Sequence, residues 1–121
     1  RNTADWQDAR SGALMICMGG ADPRHVTIRL VKALLDGLDR TPGQQLVKKI
    51  DVVIGQAFDR GEELEQCLAC ANLDVVLHRG HPNISALMTR SDLCILSCGT
   101  MILEACALGV PSIGVVLSEN Q

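Results

Sequence analysis

The sequence contains very few aromatic residues: one tryptophan (Trp6), one phenylalanine (Phe58) and no tyrosine. Proteins that bind single-stranded nucleic acid stack exposed bases on aromatic side chains, so this chain has little surface suited to that purpose. The sequence also lacks a cluster of lysine and arginine, and its formal net charge is −3. Nucleic acid and anionic membranes are therefore disfavoured as main partners. No uninterrupted apolar run reaches the ~18 residues of a transmembrane helix.

The sequence does contain six cysteines, and five of them lie in apolar patterns typical of strands or helices. Cysteine in such a pattern behaves as a small buried hydrophobic residue, so we expect reduced thiols and a cytoplasmic location. The chain begins at Arg1 without a signal-like segment, and we expect it to be a piece of a longer protein. Residues 1–12 are interpreted as a lead-in from a preceding domain. Residues 13–121 are expected to form one domain that is truncated at its C-terminus.

Short apolar runs alternate with amphipathic segments along residues 13–121. Continuous apolar runs are typical of strands that are buried on both faces of a sheet. Alternating strands and helices indicate βα units, so we predict an α/β fold with a Rossmann-like parallel sheet of about five strands flanked by helices. Asp22, Asp59 and Asn83 are candidate helix N-caps. We predict strands over 13–18, 50–54, 73–77, 93–96 and 111–117, a loop over 78–82 and a tight turn over 97–100. Helices are predicted from the three caps to about Leu38, Ala71 and Met88, and from the turn through Leu108.

Small and polar residues follow several of the predicted strands, at the edge where parallel α/β sheets bind ligands. Gly19 and Gly20 follow the first strand, and two glycines allow a phosphate to approach the backbone closely. Asp22 would compete for the same amides and repel an anion. The pair therefore has two interpretations, a pyrophosphate-binding loop or a simple strand-to-helix turn.

The stretch from Ser91 to Gln121 combines a strand, a glycine-containing turn and a helix, which together make an anion-binding corner. Its helix carries a single charged residue, Glu104, and a carboxylate is costly to bury unless it is satisfied. A phosphate on the Gly99 and Thr100 amides would leave Glu104 about one turn, ~5 Å, further along. There the carboxylate could accept hydrogen bonds from ribose hydroxyls. The alternative is an ordinary glutamate on a solvated helix face.

Cys67 and Cys70, with His78 and His81, form the pattern C-x2-C-x7-H-x2-H. This pattern resembles a zinc site, but its spacer is too short. The two cysteines also fall in the middle of a predicted helix, which disfavours a redox dithiol. Core cysteines beside a polar loop are the preferred interpretation, and a zinc or redox protein remains a third-ranked hypothesis.

Five segments occur in an order and spacing that resemble the C-terminal half of the PseG/SpsG-like UDP-sugar hydrolases. These enzymes belong with the MurG-like glycosyltransferases of GT-B fold. The resemblance covers nearly all of the chain from Ala13 onward. The segments are MGGADPR (18–24), NISALMTRSDL (83–93), GTMILE (99–104), ALGVP (107–111) and ENQ (119–121).

The resemblance implies a nucleotide-sugar site between two Rossmann-like domains, of which this chain is the donor-binding one. The family's general-base histidine belongs to the N-terminal half, so no catalytic base is assigned to this chain. Cys98 stands where the family usually has glycine, and His25 where asparagine is common. The implied roles are contact with the ribose hydroxyls for Glu104, the diphosphate loop for Cys98, Gly99 and Thr100, proximity to uracil for Asn83 and Ile84, the interdomain cleft for Gly19 and Gly20, and proximity to the scissile bond for Asn120.

Our leading hypothesis is a UDP-binding domain of a UDP-amino-sugar hydrolase in nonulosonic acid or surface/spore-coat polysaccharide biosynthesis. In the scheme that the family implies, water attacks the activated sugar and helix-end amides stabilise the departing UDP, with no metal or other cofactor. The expected partners are a UDP-sugar and the N-terminal domain of the same protein. Alone, the chain should bind UDP weakly and turn nothing over.

Two alternatives stand beside this hypothesis. A MurG-like glycosyltransferase would keep the nucleotide site and replace water by a sugar or lipid hydroxyl. A non-catalytic α/β binding module would leave Glu104 exposed and make Gly19 and Gly20 merely a turn.

Overall fold

The computed structural model describes residues 12–19, 25–40, 47–71, 73–80 and 83–116. Five of the described segments are strands: β1 (Ala13–Cys17), β2 (Lys49–Ile54), β3 (Asp74–Arg79), β4 (Leu93–Ser97) and β5 (Ser112–Val115). All neighbouring strands are parallel, and they form one sheet in the order β3-β2-β1-β4-β5. The predicted α/β fold with a five-stranded parallel sheet is confirmed.

Four helices flank the sheet, two on each face: α1 (Val26–Asp39), α2 (Gly61–Ala69), α3 (Ile84–Thr89) and α4 (Thr100–Leu108). Alternate residues of β1 point to opposite faces, as a strand requires. Leu14 and Ile16 pack in the core under α1 and α2, whereas Met15 and Cys17 pack in the core under α3 and α4. Every residue of β1 is buried, which accounts for its continuous apolar sequence.

The register of the sheet sets which loops lie beside one another. Ile16 of β1 pairs with Val52 of β2 on one side and with Ile95 of β4 on the other. The connections that follow these three central strands therefore leave the sheet at the same edge, its carboxyl edge. This is the edge at which α/β sheets bind ligands.

Two of the predicted helix starts are tested by the described residues. Asn83 caps α3 as expected, because its side chain accepts a hydrogen bond of 3.1 Å from the amide of Ala86. The prediction that Asp59 caps the second helix is wrong: α2 begins at Gly61 after Arg60, without a side-chain cap. The Asp59 carboxylate is bonded to His25 instead. Asp22 lies outside the described residues.

The loop predicted over 78–82 is also placed differently by the structure. His78 and Arg79 continue strand β3, because their backbones pair with Val53 and Ile54 of β2. The expectation of a polar loop rested on side-chain polarity, which the edge position of β3 tolerates. No helix in the described part of the chain is long and apolar enough to cross a membrane.

The expectation of buried cysteines holds at only two positions, Cys17 and Cys94. Cys70 and Cys106 are exposed, because the first follows the last turn of α2 and the second lies on the outward face of α4. All six thiols are free.

Candidate functional site

Gly19, at the carboxyl end of β1, lies directly beside the β4–α4 connection. A Cβ atom on Gly19 would be 3.6 Å from Oγ of Ser97 and 3.9 Å from Cε of Met101. The backbone of Gly19 has φ of +87°, which side-chain-bearing residues rarely adopt. Glycine is thus required here by conformation, and the structure brings the first predicted loop to the anion corner. Its neighbour Gly20 lies outside the described residues.

The turn from Cys98 to Thr100 presents the amino end of α4. Gly99 occupies the N-cap position, no side chain caps the helix, and a Cβ on Gly99 would have no neighbour within 4 Å. The first amides of the helix therefore lack the intrahelical partners that later amides have. Thr100 is exposed as the first helical residue. The turn is open, as an anion site requires.

Cys98 does not share in this open amide surface. Its backbone N–H donates a 2.9 Å hydrogen bond to the carbonyl of Val115, at the end of β5. Its thiol lies over Gly114, where an added Cβ would be 2.8 Å from Sγ. The expected diphosphate loop therefore reduces to the amides from Gly99 onward, and the Cys98 side chain is directed at β5.

Glu104 lies on the same helix as Thr100, one turn further along, and both are exposed. Its Oε1 accepts a hydrogen bond from the hydroxyl of Ser85 in the first turn of α3. Oε2 has no hydrogen-bond partner among the described residues. The bond connects the segment that begins at Asn83 and Ile84 with the helix that carries Glu104. Two stretches that were predicted to bind different parts of one nucleotide are thereby adjacent.

The reasoning that singled out Glu104 from its apolar surroundings was partly wrong. We expected an apolar helix to be a buried one, yet in α4 only Ala105 is fully buried. Leu103 is 70% exposed and Leu108 43% exposed. The physical reason is the position of α4 over β4 and the edge strand β5, where it packs against the sheet through one face. Glu104 therefore needs no compensation for burial.

Ser85 was not predicted as a site residue. Its position in the sequence could have indicated a site residue, since it lies two residues after the Asn83 cap. The first turn of a helix that starts at the carboxyl edge of the sheet faces the side where ligands bind. The side chain of Ile84, by contrast, packs against the apolar core under α3 and α4. Only the backbone of Ile84 is therefore available to a ligand.

His25 and Asp59 form a second pair at the carboxyl edge. Nε2 of His25 lies 2.6 Å from Oδ1 of Asp59, and the ring meets Phe58 edge-on with 6.0 Å between centroids. The hydrogen bond from His25 lowers the pKa of the Asp59 carboxyl. His25 itself has φ of +53°, a left-handed conformation that costs a non-glycine residue about 1–2 kcal/mol.

Asp51, in the middle of β2, is a buried carboxylate that the sequence interpretation overlooked. Its Oδ1 lies 2.9 Å from Nε2 of His78, 3.9 Å from Nη2 of Arg90 and 4.0 Å from Nζ of Lys49. Its Oδ2 is buried without a hydrogen-bond partner. The signal was present in the run Ile50-Asp-Val-Val-Ile54, an apolar strand with one carboxylate.

Two buried thiols, Cys17 and Cys94, lie in the core beneath α4. Sγ of Cys17 lies 3.5 Å from Sδ of Met101. Burial raises the pKa of the Cys17 thiol, and burial together with the nearby Cys17 raises the pKa of Cys94 to about 11. Both sulfurs are protonated at neutral pH and act as apolar packing groups.

The zinc-like pattern is not assembled in the part of the chain that the structure describes. Cys67 lies in α2 on one face of the sheet, and His78 is bonded to Asp51 on the other face. No group of three or more histidine, cysteine, aspartate or glutamate side chains among the described residues could hold a metal ion. His81 lies outside those residues.

The predicted site residues thus fall into four groups. Gly19, Gly99 and Thr100 belong to one corner at the carboxyl ends of β1 and β4, and Glu104 joins Asn83 and Ile84 through Ser85. Cys98 lies beside this corner but is engaged with β5. Gly20 and Asn120 lie outside the described residues.

No protein-family model matches the chain. Over 110 residues, or 89% of the chain, the sequence is 32% identical to an uncharacterized protein of Methanocaldococcus jannaschii. The chain spans 21% of the length of that archaeal protein.

Proposed function

We propose that this chain is the UDP-binding domain of a UDP-amino-sugar hydrolase that acts in the cytoplasm, in nonulosonic acid or surface/spore-coat polysaccharide biosynthesis. The observation that supports the proposal best is the hydrogen bond between Ser85 and Glu104. It holds a carboxylate one turn from the open amino end of α4, beside the segment that resembles the uracil-binding stretch. Separate parts of the resemblance therefore meet at one place in the fold.

In this proposal the ribose hydroxyls donate hydrogen bonds to Glu104, whose Oε2 lacks a partner among the described residues. The diphosphate accepts hydrogen bonds from the amides of Gly99 and Thr100, where the helix dipole favours negative charge. Gly19 allows a ligand to approach the backbone closely, since it has no side chain at the corner. The same amides would stabilise the charge on UDP as it leaves the sugar.

Titration of the chain with UDP, followed by backbone amide chemical shifts, tests the proposal. We expect the shifts of Gly99, Thr100 and Glu104 to move in a saturable manner, and those of Cys67 in α2 and Cys70 after it to stay in place. The chain alone should bind weakly, because one of two facing domains supplies the contacts. An absence of movement at all three site residues would show that the assignment is wrong.

A non-catalytic α/β binding module is the second candidate, and the exposure of Glu104 is the observation that favours it. The variant Glu104→Ala separates the two candidates. If Glu104 binds ribose, its loss should weaken UDP binding about 10-fold or more, since hydrogen bonds to a charged acceptor are worth about 1.5–3 kcal/mol. Glu65→Ala, an exposed glutamate of α2, is the matched control. Unchanged UDP affinity in a folded Glu104→Ala variant would support the non-catalytic module.

A further inference from the structure

His25 has a backbone conformation that its local role does not explain. It precedes α1 with φ of 53° and ψ of 40°, the one positive φ of a non-glycine residue within the described ranges. An N-cap residue usually has extended backbone angles and a side chain that accepts from the helix amides. The His25 side chain makes no such bond. The conformation instead directs the imidazole away from α1, toward the connection between β2 and α2.

The imidazole is held at that connection by two contacts. Nε2 lies 2.6 Å from Oδ1 of Asp59, and the ring packs edge-on against the buried Phe58. A carboxylate can only accept a hydrogen bond, so the neutral ring carries its proton on Nε2 and keeps a lone pair on Nδ1. Nδ1 has no hydrogen-bond partner among the described residues. A carboxylate that orients an imidazole in this manner leaves the opposite nitrogen available to a ligand.

The position of His25 along the carboxyl edge suggests which part of a ligand it meets. Strand β1 lies between β2 and β4, so Gly19 after β1 lies between Asp59 after β2 and Gly99 after β4. If the nucleoside binds at Glu104 and the diphosphate at Gly99, the group on the distal phosphate extends past Gly19 toward the His25 ring. This step rests on the proposed function.

We propose that His25, oriented by Asp59, is a specificity-determining residue that contacts the sugar of the bound UDP-sugar, with Nδ1 accepting a hydrogen bond from a sugar hydroxyl or amide N–H. Asp59 is a positioning residue in this arrangement, because it acts through the imidazole. The nucleotide part of the ligand is held without either residue. UDP-sugar binding should therefore depend on His25, and UDP binding should not.

Calorimetric titrations of the chain with UDP and with UDP-N-acetylglucosamine test this difference. The variant of choice is His25→Asn, because asparagine tolerates the left-handed backbone and its side chain is too short to replace the ring. We expect His25→Asn to weaken binding of UDP-N-acetylglucosamine about 2- to 10-fold, the effect of one hydrogen bond, with UDP affinity unchanged. His78→Gln is the matched control, since it removes another histidine that is bonded to an aspartate. It should leave both affinities unchanged.

A spectroscopic measurement on the unaltered chain separates ligand contact from a structural role. The ring ¹⁵N signal of Nδ1 in His25 should shift on addition of UDP-N-acetylglucosamine and stay in place on addition of UDP. Suppose that both nucleotides bind, that the ring signal does not shift and that His25→Asn changes neither affinity. The inference about His25 is then wrong, and the proposed UDP site is unaffected. If neither nucleotide binds the unaltered chain, the proposed function is wrong and the inference fails with it.

Discussion

Nε2 of His78 lies 2.9 Å from Oδ1 of Asp51, so that a half-buried imidazole of β3 is joined to a carboxylate buried in the middle of β2. The cationic groups of Lys49 and Arg90 lie within about 4 Å of the same oxygen. A buried carboxylate is costly unless such partners satisfy it, so these contacts compensate the burial of Asp51. The pair therefore joins the edge strand β3 to the central strands.

Asp51→Ala should destabilise the fold by about 2–3 kcal/mol, because it opens a cavity and removes the acceptor of His78. Urea unfolding should show a lower midpoint at an unchanged m-value. The control is Asp36→Ala, which removes an exposed carboxylate paired with Arg40 at 3.3 Å and should cost less than about 1 kcal/mol. Equal effects of the two substitutions would contradict a buried, engaged Asp51.

Ser85→Ala should leave UDP affinity within about 3-fold of the original value or increase it, in contrast to Glu104→Ala. The Ser85 hydroxyl occupies Oε1 of Glu104 in the absence of ligand, so its removal frees an acceptor for ribose. Calorimetric titration with UDP measures the effect. A loss as large as that of Glu104→Ala would contradict this expectation and would mean that Ser85 contacts the nucleotide or is needed to orient Glu104.

Gly19→Ala should destabilise the chain by about 1–2 kcal/mol through backbone strain, since φ is +87° and the nearest atoms leave room for a methyl group. Gly37→Ala is the matched control within α1, where an added Cβ meets nothing within 4 Å. It should stabilise the helix by up to about 1 kcal/mol. Thermal or urea unfolding of both variants checks the opposite signs. A neutral Gly19→Ala substitution would show that the backbone relaxes to a negative φ.

Gly114→Ala should be destabilising because its Cβ would lie 2.8 Å from Sγ of Cys98 and 3.4 Å from Cδ1 of Ile102. Overpacking of this kind costs about 1–3 kcal/mol. Cys98→Ala removes the sulfur, so the double variant should recover most of the loss. A double-mutant cycle in urea measures this coupling. Additive effects of the two substitutions would mean that the Cys98 thiol does not lie over Gly114.

Stability should fall as the pH rises from about 9 to about 11, because burial raises the pKa of Cys94 from its ordinary value of 9.0 to about 11. In that range the unfolded thiol loses its proton while the folded one keeps it, and the unfolded state is therefore favoured. Urea unfolding at pH 8, 9 and 10 measures the first part of the decline, which should be about 1 kcal/mol by pH 10. Cys94→Ala should flatten the dependence. An equally steep decline in that variant would mean that titratable groups other than Cys94 cause the loss of stability.

Local signals in the sequence predicted several elements closely. Asn83 was recognised as a cap from its residue type, and the end of α4 at Leu108 was predicted correctly from Gly109. Gly109 has φ of +72°, the left-handed conformation of a glycine at a helix end. Such signals act within a few residues, so they do not depend on the rest of the fold.

Local signals failed for the carboxylates that interrupt apolar runs, where we reasoned that a buried carboxylate must be satisfied. We applied this reasoning to Glu104 in α4, which is exposed, and not to Asp51 in β2, which is 1% exposed. Both residues interrupt an apolar run. The difference is that β2 has strands on both sides and a core on each face, whereas α4 packs through one face at the sheet edge.

The sequence by itself determined the alternation of strands and helices, the parallel sheet and the residue types at the ends of the strands, because each follows from apolar periodicity and turn chemistry. Tertiary structure alone decided that Ser85 meets Glu104, that Gly19 meets Ser97 and that His25 meets Asp59. These contacts join connections that follow different strands. Their partners are set by the strand order β3-β2-β1-β4-β5, which packing of the whole chain selects and no local pattern encodes.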